Sequence, residues 1–156
     1  MTPGAWQWLP AGLVTFLVLS APALPQQQRH TIIGVGGTCA ALQVGTTKYS
    51  CRGMLYMRFA DSGRAAYMLG EGKDVVGVSG EEDAESQSDH YVLYVDTVRL
   101  RDMQQHRASG TCDMMLNPSG PVIKSVTCDI GSDIGNVTVD FRGDGKPADT
   151  ARGGSR

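Results

Sequence analysis

What this sequence has little of narrows its function before any motif is read. Its 156 residues carry a net charge of only −2, and 19% are charged, so no strong field draws in nucleic acid or an anionic membrane surface. The densest basic stretch holds Arg99, Arg101 and Arg107. Asp102 interrupts it and no aromatic platform stands beside it, which reads as a solvated face rather than a nucleic-acid footprint. Aromatics are 6% of the chain while glycine reaches 20 residues, a composition for short strands and tight turns and not for a helical bundle. The longest apolar run falls short of the ~20 residues that span a bilayer.

Chemical signatures are missing too. No cysteines stand in the Cys-x-x-Cys couple used by structural zinc sites and dithiol redox centres. There is no Gly-x-Ser-x-Gly elbow. Gly34-Val35-Gly36-Gly37 lacks the Lys-Ser/Thr of a phosphate-binding loop, and Cys39 occupies the last glycine position of a dinucleotide fingerprint. The carboxylates Glu81, Glu82, Asp83 and Glu85, like the segment from Asp140 to Gly145, do not follow calcium-loop spacing. His90 beside Asp89 has the makings of an acid–base pair, but a histidine at a loop–strand junction reads first as a surface residue. Asn136-Val137-Thr138 is a formal glycosylation acceptor. The expectation is therefore a protein that is not an enzyme, with no catalytic residue, metal or cofactor.

What is present begins with a leader. Trp6 to Leu19 is nearly all apolar, and Ser20-Ala21-Pro22-Ala23 supplies the small residues a signal peptidase accepts. No side-chain positive charge precedes the run, which is atypical of such signals. The expected organisation is a signal peptide over 1–23, a flexible mature N-terminus over 24–37, one β domain over 38–142 and a disordered tail over 143–156.

Four cysteines follow the leader, at 39, 51, 112 and 128. An even count in a short exported chain reads as a disulfide framework. Of the three pairings, spacing favours Cys39 with Cys51 and Cys112 with Cys128. The midpoint of the first pair is Gly45, and that of the second is Gly120, which closes the turn Asn117-Pro118-Ser119-Gly120. Cysteines symmetric about a turn face one another across a hairpin.

Runs of strand character fall at 39–44, 49–59, 65–69, 74–79, 90–100, 111–116, 122–130 and 136–142, each bounded by turn residues. In the second run Cys51, Leu55, Met57 and Phe59 alternate onto one face, expected to be buried, with Arg52, Tyr56 and Arg58 on the wet one. In the fifth, Tyr91, Leu93, Val95 and Thr97 share a face. Arg101 to Ala108 reads as a loop or one helical turn, and the acidic stretch from Gly80 to Asp89 as an unpacked, mobile loop. Eight short strands with close turns predict an all-β fold, an antiparallel barrel that is closed or nearly so, with a two-sheet sandwich as the alternative.

From Cys39 to about Lys146 the chain resembles a group of small exported alphaproteobacterial proteins with two cysteine pairs. The likeness rests on the cysteine pair around Gly45-Thr46-Thr47, on Tyr91 to Asp96 and on Gly110 to Met114. Ser125 to Cys128 and Phe141 to Pro147 complete it. The resemblance implies a periplasmic or secreted location and brings no active site. The function expected is a non-enzymatic binding or interaction module of the cell envelope. Its partner would be a protein or small molecule, with no nucleic acid and no stable membrane span after cleavage. Arg52, Tyr56 and Arg58 are its candidate binding face. The alternative is an inhibitor of a foreign hydrolase, a lysozyme or protease, acting through the acidic loop.

Overall fold

Alternating apolar and polar residues give each strand one face to bury, and a single sheet buries that face along all its strands by closing on itself. The computed structural model describes residues 30–83, 89–101, 104–118 and 120–152; the leader lies outside them. The described residues form ten strands: β1 (His30–Val44), β2 (Thr47–Lys48), β3 (Gly53–Phe59), β4 (Arg64–Glu71) and β5 (Asp74–Glu82), then β6 (His90–Arg99), β7 (Gln105–Asn117), β8 (Gly120–Ser132), β9 (Val137–Gly143) and β10 (Asp149–Arg152). No helix occurs among the described residues. Neighbours pair antiparallel in the order β1-β3-β4-β5-β6-β7-β8-β9, and β9 returns to β1. The fold is a closed eight-stranded barrel, not a sandwich.

β1 closes the barrel because it is long enough to serve two neighbours on each edge. Residues 30–36 pair with β3 and 43–44 with β2; on the other edge, 37–44 pair with β9 and 31–34 with β10. The interior is one apolar core in which Leu69, Leu93, Ile130, Tyr67 and Phe141 are fully buried. Gly63 and Gly72 take the left-handed conformation in the β3–β4 and β4–β5 turns.

Both disulfides form as the spacing predicts. Cys112 and Cys128 are direct partners on β7 and β8, with Cα atoms 4.1 Å apart. Cys39 and Cys51 are also joined, with Cα atoms 5.4 Å apart, but not as a hairpin pair. Cys39 sits at a register shift in β1 and Cys51 in the irregular segment before β3.

The structure differs from the sequence reading in several places, each with a local cause. The segment 30–37, expected to be flexible, is strand. Its glycines allow close approach: a Cβ on Gly37 would collide with the Phe141 ring and the Arg142 carbonyl. The expected tail contains β10, whose backbone pairs with β1 although its sequence has no large apolar residue. The second run starts as strand only at Gly53, and its faces are reversed. Met54 and Tyr56 point into the barrel, while Leu55 is 44% exposed. Gln105–Ala108 is strand, not loop, and so are Gly80–Glu82. Along β6 a bulge at Asp96 shifts the alternation, so Val98 rather than Thr97 follows Val95 into the core.

That bulge sits beside a close backbone contact. A Cβ on Gly80 would meet the Tyr94 carbonyl oxygen well inside contact distance. Gly80→Ala is therefore expected to destabilise the barrel by about 1–3 kcal/mol, the range for overpacking, read as a lowered urea midpoint. An unchanged midpoint would mean that β5 and β6 are not packed this closely.

Candidate functional site

The three residues of the predicted binding face are not brought together on one surface. Arg52 is 80% exposed and pairs with Glu71, with Nε 3.3 Å from Oε2. Tyr56 is buried inside the barrel, its ring 5.7 Å from that of Tyr67. Arg58 ends the inward row of β3 at the barrel mouth, where an apolar stem can pack while the charged end reaches solvent. The arginines at 52 and 58 are what made this face look wet in the sequence.

At that mouth Glu82 is the organising residue. Its side chain is only 4% exposed, and Oε2 lies 2.7 Å from Arg58 Nε, close enough for an ion pair but without hydrogen-bond alignment. Oε1 accepts a hydrogen bond of 2.9 Å from the Tyr56 hydroxyl. Burial first, and the Glu82 charge next, hold the Tyr56 and Tyr67 hydroxyls protonated well above the ordinary tyrosine range. The Tyr67 hydroxyl is buried and has no protein hydrogen-bond partner among the described residues. Two substitutions separate the roles. Tyr56→Phe takes a donor from a buried carboxylate and is expected to cost about 1–3 kcal/mol. Tyr67→Phe breaks no protein hydrogen bond and is expected to stay within about 1 kcal/mol of wild type. Equal losses in urea unfolding would contradict the arrangement.

The remaining titratable clusters are small. His90 pairs with Asp113, with Nε2 2.9 Å from Oδ1, and the structure records no bond to the adjacent Asp89. His106 Nδ1 lies 3.2 Å from Asp133 Oδ1. No group of three metal-ligating side chains occurs among the described residues. The tip of the acidic loop, 84–88, where an inhibitory contact was expected, lies outside the described residues.

A concavity away from the mouth lies on the outer surface of β3–β6, edged by Gln105 of β7. It is a groove of about 730 Å³, within the range of small-molecule sites. Register builds it. Met57, Ala66, Ser79 and Thr97 face one another across four strands, and the next row is Met68, Gly77, Arg99 and Gln105. Small residues at Ala66, Gly77 and Ser79 leave the floor low. Met57, Phe59 and Met68 supply apolar wall. A shallower pocket of about 280 Å³ continues it past Met68 and Val75 toward Leu55 and Gly34.

Gly77 has no backbone reason to be glycine. A Cβ there would meet the Arg99 Cβ at 3.6 Å, the Arg99 carbonyl oxygen at 3.8 Å and the Met68 Cγ at 4.0 Å, all ordinary contacts, and its φ lies outside the left-handed region. Mid-strand glycine is costly, by roughly 0.5–1 kcal/mol relative to alanine, and where no bulge or bend requires it, it marks close approach of something else. What it does here is keep the groove open.

Charge differs between the groove's ends. Near the β3–β4 turn, Arg64 is neutralised by Asp96 through two hydrogen bonds of 2.7 and 2.8 Å, and Asp61 stands close by. Arg64 holds the Asp96 carboxyl below the usual carboxylate range, helped by the Thr97 hydroxyl. Toward the far end the lining includes Lys73, Arg99 and Arg101. Arg101 reaches Asp74 only at 3.9 Å. Arg99 donates to the Gln105 side-chain oxygen, a neutral partner. Lys73 has no carboxylate partner among the described residues.

Sequence reasoning missed this groove, because its walls come from the face of β3 that was expected to be buried. Two signals were available: a glycine inside a β-branched strand, Val75-Val76-Gly77-Val78, and two arginines at the end of β6.

Fold and groove together define a class: a disulfide-braced, closed antiparallel β-barrel with a packed interior and an apolar groove on its outer wall. Comparison of the chain with protein-family models, with curated proteins and with solved structures finds no match.

Proposed function

We propose that this protein is a non-enzymatic binding module of the cell envelope, periplasmic or secreted, that holds its ligand in the outer groove of β3–β6. The observation that carries the reading is the groove itself, open over a glycine that the backbone does not require. Two disulfides and no free cysteine fit an oxidising compartment. Among the described residues the barrel interior is one cluster of buried apolar side chains.

Gly77→Phe tests this, since its Cβ is accommodated and its ring projects into the groove. Native mass spectrometry of protein exported from a bacterial host and purified without detergent should show a bound small molecule on the wild type. The variant should lack it while keeping the same circular dichroism. The same occupancy in both proteins, or none in either, would overturn the reading.

A further inference from the structure

We propose that the groove takes a free single-chain amphiphile with an anionic head, a long-chain carboxylate, whose head sits at the Lys73–Arg99–Arg101 end. This rests on the outer groove being the binding site. Two independent features of the groove point to that chemistry.

The first is its apolar length. Val75 to Ser79 on β5 spans about 13 Å of strand, and the groove continues past Met57 and Phe59 to the β3–β4 turn. Gly77 and Ala66 lie along this path with no side chain beyond a methyl, while Met68 and Met57 line it with flexible thioether chains that repack around apolar ligands. An apolar path of this length matches an extended alkyl chain.

The second is the charge difference between its ends. Among the described residues, the one carboxylate recorded against Lys73, Arg99 and Arg101 is Asp74, 3.9 Å from Arg101, so positive charge is in excess there. Arg64 at the near end is matched by Asp96, and Asp61 adds a negative charge. The groove thus has a cationic end and a near end with no surplus of positive charge. A carboxylate at the far end gains charge-assisted hydrogen bonds from guanidinium and ammonium donors, and its chain then runs toward Phe59. A cationic head would meet repulsion at the far end, where Lys73, Arg99 and Arg101 line the groove.

The test is isothermal titration of the folded, disulfide-intact protein with myristate below its micelle-forming concentration. Tetradecanol and tetradecylammonium serve as head-group controls. Myristate should bind at one site, with affinity at least about tenfold above either control. Gly77→Phe should abolish its binding. The double variant K73E/R101E should weaken myristate by a similar factor while leaving tetradecanol unchanged.

Tetradecanol or tetradecylammonium binding as tightly as myristate, in a Gly77-dependent way, would overturn the head-group assignment and leave the groove reading intact. Attachment to phosphatidylglycerol vesicles without binding of free myristate would overturn it in favour of a membrane surface. Myristate binding that Gly77→Phe does not affect would overturn it together with the groove reading.

Discussion

Alanine at both Cys112 and Cys128 is expected to lower the stability of the barrel by about 3 kcal/mol. The two residues are 16 apart in sequence, and closing a loop of that length restricts the unfolded chain by roughly this amount. Both cysteines are buried, so the loss of packing adds to the effect. The bond ties two strands already joined by an extensive ladder, so its removal should act globally, as one cooperative shift of the urea midpoint. The matching change at Cys39 and Cys51 should look different. That bond anchors the irregular stretch between β1 and β3, where the two-residue strand β2 and single backbone bonds at Gly45, Tyr49 and Arg52, to Asn136, Leu42 and Gly37, are among the backbone ties. Its loss should speed amide exchange over 45–53 beyond the rest of the barrel. Identical exchange patterns in the two double variants would contradict the assigned roles.

Stability should also fall steeply in alkali. Tyr56 and Tyr67 are held protonated in the folded barrel by burial and by the Glu82 carboxylate, so their folded-state pKa values lie well above those of the unfolded chain. A raised folded pKa contributes stability that is fully present below the unfolded value, about 10 for tyrosine. That stability is lost as pH rises further, because the unfolded chain releases protons that the folded one keeps. Each tyrosine should remove about 1.4 kcal/mol per pH unit above that point. Urea unfolding at several pH values, compared with the double variant Y56F/Y67F, isolates the two groups. The wild type should lose stability more steeply than the variant by roughly 2–3 kcal/mol per pH unit. Parallel curves would mean that these hydroxyls are not buried beside Glu82.

The barrel was legible in the sequence because its signals are local. Turn residues between short apolar runs gave the strand order, and cysteines symmetric about Gly45 and Gly120 gave the pairing. Residues whose placement depends on distant partners were not legible. Arg58 looks like a surface residue along β3, yet it stands at the end of an inward row because Glu82, 24 positions on, meets it there. Thr97 belongs to the core by strict alternation, and only the Asp96 bulge, where Asp96 holds Arg64 of β4, turns it outward. β10 has no apolar pattern and pairs because β1 outruns β9. The groove is the extreme case. It is assembled from outward residues of β3 to β6 with Gln105 of β7, and its clearest mark in the sequence, Gly77, has meaning only once its neighbours are known.

The measurement closest to the central claim is a titration of methyl-labelled methionine protein with anilinonaphthalene sulfonate, an anionic apolar probe, followed by nuclear magnetic resonance. Met57 and Met68 line the groove, whereas Met54 and Met114 are buried in the barrel. A site on the outer wall predicts that the Met57 and Met68 methyl signals move with saturating dependence on the probe while those of Met54 and Met114 stay in place. Movement of Met54 or Met114, with Met57 and Met68 unaffected, would put the binding site elsewhere on the barrel.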